Sequence, residues 1–417
     1  MGDKPDALIH VLVALAAVVL VGRALGMLLR YMGQPPVIGE VAGGIVLGPS
    51  VLGRLWPQAA EFVMPPSVGP YLEVLSQLGV ILYMFLVGLE LNLGMMRGRA
   101  RSALLISQAG MVVPFALGAG LALPLYTRLS SPDVSRTSFI LFVGVAMSVT
   151  AFPVLARILT DRQVQKTSLG TLALTCAAAA DVTAWCLLAF VVGVAQERLR
   201  GALLVLGLSL AYIAFMFLVV RPIAARRLAR LDLAGLTPGI VGCVFAAVLL
   251  SALATEAIGI HAIFGAFLLG AVVPHESAIA QGLRTKMEDL VTVLLLPAFF
   301  AFTGLRTQIG LISGLEQWLI CGLIILVATA GKVGGTFFAA RLTSLSWRES
   351  AGLAVLMNTR GLMELIVLNV GLDLKIISPT LFAMMVLMAL VTTLATAPVL
   401  HWLIDRPRLL NQKVNQA

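Results

Sequence analysis

Apolar runs recur along almost the whole chain, broken by short stretches in which Arg, Lys, Gly and Pro collect. A helix needs about 20 such residues to cross a hydrocarbon layer about 30 Å thick. Thirteen runs meet or approach that length: Leu8–Arg30, Pro36–Val51, Leu72–Leu93, Ala103–Leu125, Ser138–Leu159, Leu169–Val194, Leu203–Val220, Ile240–Ala257, Ile260–Pro274, Leu290–Gly304, Leu319–Leu342, Ala351–Leu372 and Thr380–Ile404. The pattern predicts an all-α polytopic membrane protein of about 13 transmembrane helices, the second, ninth and tenth being short.

Polar positions interrupt these runs at matching places. With the seventh helix as a linker, helices 1–6 and 8–13 make two six-helix halves separated by an odd number of crossings, which is an inverted repeat. The fifth helix carries Ser148-Val149-Thr150-Ala151-Phe152-Pro153 across its midpoint, and its counterpart, the twelfth, carries Asn358-Thr359-Arg360-Gly361. Pro153 lacks an N–H and Gly361 is a poor helix former, so both segments read as discontinuous helices at matching places in the two halves. Non-helical backbone is tolerated there only where it lines a cavity or is buried in protein.

Charge then marks a site. Asp181 stands alone at the middle of Leu169–Val194, and a carboxylate at the bilayer centre costs at least ~2.5 kcal/mol, so it reads as functional. Ser148, Thr150, Lys332, Arg360 and Glu364 fall at the same depth on neighbouring runs. Arg360 and Glu364, four apart on one helix face, can neutralise each other and read as a structural ion pair. Lys332 is too deep to reach the headgroups and needs a carboxylate, Asp181 being the obvious one, or a cluster of helix C-terminal carbonyls. A buried carboxyl beside hydroxyls and a cation can hold a proton. Ionised, with oxygens of Thr150, Ser148 and freed backbone carbonyls, it can hold a small hard cation such as Na⁺ instead. One site that takes either ion and faces the two sides in turn is an exchanger.

Composition narrows the class. The chain of 417 residues is 59% hydrophobic and 12% charged, more apolar material than a soluble core can bury. Its net charge of +9 would raise nucleic-acid binding in a soluble protein, but of 29 Lys and Arg residues eighteen lie in loops on one side, among them Arg97, Arg99, Arg101, Lys166, Arg221, Arg226, Arg227 and Arg230. Eight lie on the other, including Arg54, Arg128, Arg198 and Arg306. That bias puts the N-terminus outside and the C-terminus in the cytoplasm of a cell membrane, and identifies the lipid bilayer, not nucleic acid, as the partner. The first run lacks the basic start and A-x-A exit of a secretory signal, and only a short basic tail follows Ile404, so no appended cytosolic domain is expected.

Cys176, Cys186, Cys243 and Cys321 lie in apolar runs without CxxC or Cys/His spacing, so no disulfide, transition-metal site or cofactor is expected. A protease reading fails because only one aspartate is at mid-depth and no H-E-x-x-H is present. Glu40 and Glu90, near the cytoplasmic ends of the second and third helices, are candidates for lining a funnel. Gly43-Gly44 and Gly334-Gly335 suit close helix packing rather than phosphate binding.

Gln34–Gly53 (QPPVIGEVAGGIVLGPSVLG), Ser148–Asp161 (SVTAFPVLARILTD), Ala180–Ala189 (ADVTAWCLLA), His261–His275 (HAIFGAFLLGAVVPH) and the stretch opening NTRGLMELIVLNVGLDLKIISPT after Met357 together resemble the second branch of the monovalent cation:proton antiporters, bacterial Na⁺/H⁺ exchangers with K⁺ efflux relatives. The resemblance covers almost the entire chain. It implies a homodimer in which scaffold helices (residues 1–102 and 237–315) face core helices (103–199 and 316–404), with a linker helix and basic loop at 200–236 and a cytoplasmic tail at 405–417. It implies that Asp181 binds the cation and the proton, that Thr150 borders the first broken helix, and that Lys332 is the lysine that pairs with acids in the site.

The sequence departs from the family at Ala180, where two-acid members carry the lysine's usual partner. That implies electroneutral exchange through one carboxylate, a weakened transporter, or a replacement that stabilises one state, and an aspartate at 180 is expected to raise exchange. The other cargo compatible with the same fold is K⁺ or an ionophore-like small molecule moved against protons.

Overall fold

The computed structural model describes residues 4–90, 100–132, 134–162, 164–165, 167–195, 199–231, 236–274 and 277–405. Arg97, Arg99, Lys166, Arg198, His275 and the basic tail lie outside the described residues. The helices are α1 Lys4–Tyr31, α2 Pro36–Leu47, α3 Leu52–Leu55, α4 Pro57–Val63, α5 Gly69–Glu90, α6 Ala100–Leu129, α7 Arg136–Ser148, α8 Phe152–Asp161, α9 Ser168–Ala195, α10 Leu199–Phe215, α11 Arg221–Leu231, α12 Pro238–Ile258, α13 Ala262–Val272, α14 Ala278–Leu290, α15 Leu296–Arg306, α16 Gly314–Leu342, α17 Trp347–Met357, α18 Leu362–Asp373 and α19 Pro379–Leu400. Among the described residues 10 helices are long and apolar enough to cross a membrane, or up to 11 if the bent pair α17 and α18 counts as one span. Two of the thirteen apolar runs fold into helices too short for that test, α7 and α13. At α7 the apolar run continues past a backbone break into α8, so run length there overstates helix length.

The chain divides into two compact units, Met1–Gly22 with Glu40–Gly94 and Ala189–Leu305, and Arg23–Gly39 with Met95–Leu188 and Arg306–Ala417. In the first unit α5 and α13 approach so closely that a Cβ on Gly270 would overlap the carbonyl of Phe85, and one on Gly88 the carbonyl of Phe267. Small residues let backbones pack where lipid supplies no hydrophobic drive. Val11, Ala14, Val68, Leu72 and Ala298 form one of its apolar clusters. Its buried hydroxyls are absorbed locally: Ser251 donates to the carbonyl of Gly265 at 2.6 Å and meets the Tyr212 hydroxyl, also at 2.6 Å.

In the second unit α16 packs along α6 and against α17 and α19, and α6 packs on α7. Ser346 and Glu349 start α17 with reciprocal hydrogen bonds, satisfying two backbone N–H groups that a helix start leaves open. Pro398 inside α19 removes the N–H that Leu394 would have received, and the side-chain amide of Gln34 donates to that carbonyl at 3.1 Å. Arg162 donates to the neighbouring carbonyl of Ala397 at 2.9 Å. Gln34, the first residue of one family-like stretch, thus closes a gap created 364 residues later.

Candidate functional site

The site is assembled in the second unit from two interrupted helices. The first interruption lies between α7 and α8: Val149 and Ala151 are extended, and α8 restarts at Phe152 with Pro153 in its first turn, where the missing N–H costs nothing. The second lies between α17 and α18. Asn358 ends α17, and Gly361 takes φ 154°, a region that disfavours side chains, while a Cβ there would meet Val154 Cγ2 at 2.8 Å. The halves are bent by 41°.

The two interruptions are tied to each other. The Ala151 N–H donates to the carbonyl of Thr359 at 3.0 Å, and the Thr150 hydroxyl donates to the carbonyl of Met357, the last residue of α17, at 3.1 Å. Ser148 donates to Val145 within its own turn at 2.8 Å and Thr359 to Leu356 at 2.8 Å. In each case the hydroxyl proton is engaged by a carbonyl and an oxygen lone pair stays available as a ligand.

The C-terminus of α7 carries the partial negative charge of its open carbonyls, and two cations meet it. Arg360 donates to the carbonyls of Ala146 at 3.1 Å and Met147 at 2.6 Å, and to Glu364 at 2.8 Å. Lys332 donates to the carbonyl of Ser148. All three charged side chains have 0% exposure. Thr393 brackets Arg360, accepting from its N–H at 2.9 Å and donating to its carbonyl at 2.7 Å. Glu364 sits in the first turn of α18, where a carboxylate complements the positive end of the helix.

The expected partner of Lys332, Asp181, is therefore replaced by a carbonyl of the first broken helix. Lys332 and Asp181 are within electrostatic reach but make no ion pair among the described residues. The Lys332 amine thus has a helix C-terminal carbonyl as a partner where position 180 offers no carboxylate, Ala180 being itself buried. Asp181 lies at the midpoint of α9 with 1% exposure, and neither carboxylate oxygen has a hydrogen-bond partner among the described residues.

Site residues named from the sequence thus fall into three groups. Ser148, Thr150, Lys332, Thr359, Arg360 and Glu364 are bonded into one network, with Asn358 and Gly361 forming its turn. Asp181 stands beside it without a bonded partner. Glu40 and Glu90 belong to the first unit, where Glu90 pairs with Arg284 at 2.7 Å. Sequence reasoning missed Thr393, whose signal was the Thr392-Thr393 pair in a largely apolar helix. It also missed Gln108 of α6, which donates to Thr183 at 2.9 Å two residues from Asp181.

An all-helical bundle with two interrupted helices joined at their breaks, and with buried charge gathered at that junction, defines a multi-pass membrane transporter. A family model for the sodium/hydrogen exchanger, transmembrane, matches residues 13–405. The chain is 43% identical to the Na(+)/H(+) antiporter NhaS4 of Synechocystis sp., over 94% of this chain and 97% of that one. It is 40% identical to Cation/H(+) antiporter 20 of Arabidopsis thaliana, over 95% of this chain and 49% of the relative. It is 34% identical to K(+)/H(+) antiporter 1 of Saccharomyces cerevisiae, over 88% and 43%. The chain spans about half the length of the Arabidopsis relative or less in the yeast one. Among solved structures, the sodium proton antiporter MjNhaP1 from Methanocaldococcus jannaschii shares the fold, with a TM-score of 0.69 over 95% of this chain and 96% of that one at 13% identity. The chain belongs to the sodium/hydrogen exchanger family, whose members span the membrane and exchange cations for protons.

Proposed function

We propose that the protein exchanges Na⁺ for H⁺ one for one by alternating access, the two ions competing for Asp181. The observation that carries this is the state of that carboxylate. It is buried at mid-helix and has no hydrogen-bond partner among the described residues, while the cations that could neutralise it, Lys332 and Arg360, are engaged by α7 carbonyls. An unpaired buried carboxylate is costly, so the resting protein is stabilised by whichever ion neutralises it, and a bound proton and a bound Na⁺ are equivalent in charge. Thr150, Ser148 and the carbonyls at the two interruptions supply further oxygens suited to a hard cation.

Electroneutral exchange follows from a single carboxylate that trades one bound proton for one Na⁺, Ala180 supplying no second acid. The second unit, with α6–α9 and α16–α19, is the core that moves, and the first unit is the scaffold through which two copies pair. The N-terminus faces outward and the C-terminus the cytoplasm, with Glu40 and Glu90 at the inner mouth. Na⁺ is favoured by likeness to NhaS4 across nearly its full length; likeness to the yeast K(+)/H(+) antiporter makes K⁺ the second reading.

The test is vesicle-reconstituted protein loaded with a pH-sensitive dye and challenged with jumps of Na⁺, K⁺ and Li⁺, beside Asp181→Asn. Na⁺-driven proton flux that disappears in Asp181→Asn is expected. Flux that survives the substitution removes Asp181 from the mechanism, and a response to K⁺ alone replaces the cargo.

A further inference from the structure

Tryptophan in membrane proteins normally sits at the headgroup level, ring in the apolar layer and N–H in water. Four of the five tryptophans here are exposed: Trp56, Trp318, Trp347 and Trp402. Trp185 alone is buried, at 4% exposure in the middle of α9. Its indole N–H has no hydrogen-bond acceptor among the described residues, although a buried donor without one costs about 1–3 kcal/mol.

Trp185 is four residues from Asp181, one turn along the same face of α9 and about 6 Å further along its axis. By helical spacing Ala177, Ala178, Ala184 and Leu188 share that face, all buried and none with a polar side chain. Among the described residues, an unmatched donor and two unmatched acceptors thus share a stripe otherwise built of Ala and Leu side chains. Placed together without bonding to each other, they fit a guest that can accept from the indole and neutralise the carboxylate at once. A bare proton cannot do both. A Na⁺ that retains one water can: the ion sits against Asp181, and the oxygen of its water accepts from the indole while coordinating the ion.

We propose that Trp185 is a positioning residue of the exchange site, donating its indole N–H to a water retained by the cation bound at Asp181. The proposal rests on Asp181 being the ion site. Trp185 therefore acts on the cation-loaded state and leaves the proton-loaded state nearly untouched, so it sets how much Na⁺ is needed to displace the proton rather than how fast the core moves.

Trp185→Phe keeps the ring and deletes the donor. In reconstituted vesicles the half-saturating Na⁺ concentration is expected to rise about ten-fold while the maximal rate changes by less than about two-fold. A second measurement needs no change at position 185. With Trp56, Trp318, Trp347 and Trp402 replaced by Phe, Trp185 is the sole indole, and its emission is expected to shift on addition of Na⁺ and not to respond after Asp181→Asn. An unchanged half-saturation in Trp185→Phe overturns the proposal. Should that variant fail to insert, emission indifferent to Na⁺ in the single-tryptophan protein overturns it instead. If Asp181→Asn still exchanges, the ion site itself is misassigned, and that outcome is separate from a failure confined to Trp185.

Discussion

The two units are built from the same material, long apolar helices joined by short polar turns, yet they treat buried polar atoms in opposite ways. All four buried charged side chains among the described residues, Asp181, Lys332, Arg360 and Glu364, lie in the second unit. So do all ten buried side-chain nitrogen and oxygen atoms that lack a hydrogen-bond partner. In the first unit the corresponding groups are hydroxyls that return to nearby carbonyls, as Ser251 does to Gly265. One unit is arranged for helix contact, with Gly88 and Gly270 letting backbones meet. The other keeps groups unmatched at a cost in stability, and such cost persists where function requires it.

The sharpest way to break this comparison is at Arg360. Its guanidinium joins Ala146 and Met147 at the end of α7 to Glu364 on α18, so Arg360→Ala strands a buried carboxylate and opens carbonyls at once. A loss of about 3–5 kcal/mol is expected, read as a collapse of the monodisperse, folded fraction on heating in detergent. A variant that melts with the parent would mean the junction is not held by this network.

A smaller, opposite effect is expected at Ala180. Ala180→Asp adds a second acid beside Asp181 and gives Lys332 a carboxylate to exchange for the Ser148 carbonyl. Na⁺-driven proton flux rises several-fold and becomes voltage-dependent, since one uncompensated charge moved across 100 mV is worth about 2.3 kcal/mol. Flux measured under a K⁺ diffusion potential checks it; indifference to voltage in both proteins would remove position 180 from the charge balance.

The least effect belongs to the first unit. Ser251→Ala deletes the hydroxyl shared by Tyr212 and Gly265 and should lower stability by about 1 kcal/mol while the exchange rate stays unchanged. A drop in rate without a drop in melting temperature would show that this unit, too, contributes to transport chemistry.

Much of the buried charged cluster was legible in the chain because burial in lipid is so costly for charge. Asp181, Lys332, Arg360 and Glu364 were found by asking which ionisable groups sit where none should be, and the two interruptions by asking which apolar runs contain Pro, Gly and hydroxyls in register. Which of its two expected partners Lys332 takes, Asp181 or a helix C-terminal carbonyl, was not legible, because a backbone carbonyl carries no sequence signature and becomes a ligand only when a helix stops in the right place. Trp185 was hidden for a related reason: an indole in an apolar run is ordinary until burial shows its N–H unmatched.

Sequence alone determined the membrane-spanning helical class and which ionisable groups fall inside apolar runs, since hydropathy and the price of burying an ion act residue by residue. Apart from the Arg360–Glu364 pair, which their spacing of four sets, tertiary structure decided which charge meets which group, because Arg360 reaches Ala146 across 214 positions and Lys332 reaches Ser148 across 184. Those meetings depend on where α7 and α17 end and how their breaks are joined, and no local preference encodes a distance between two ends.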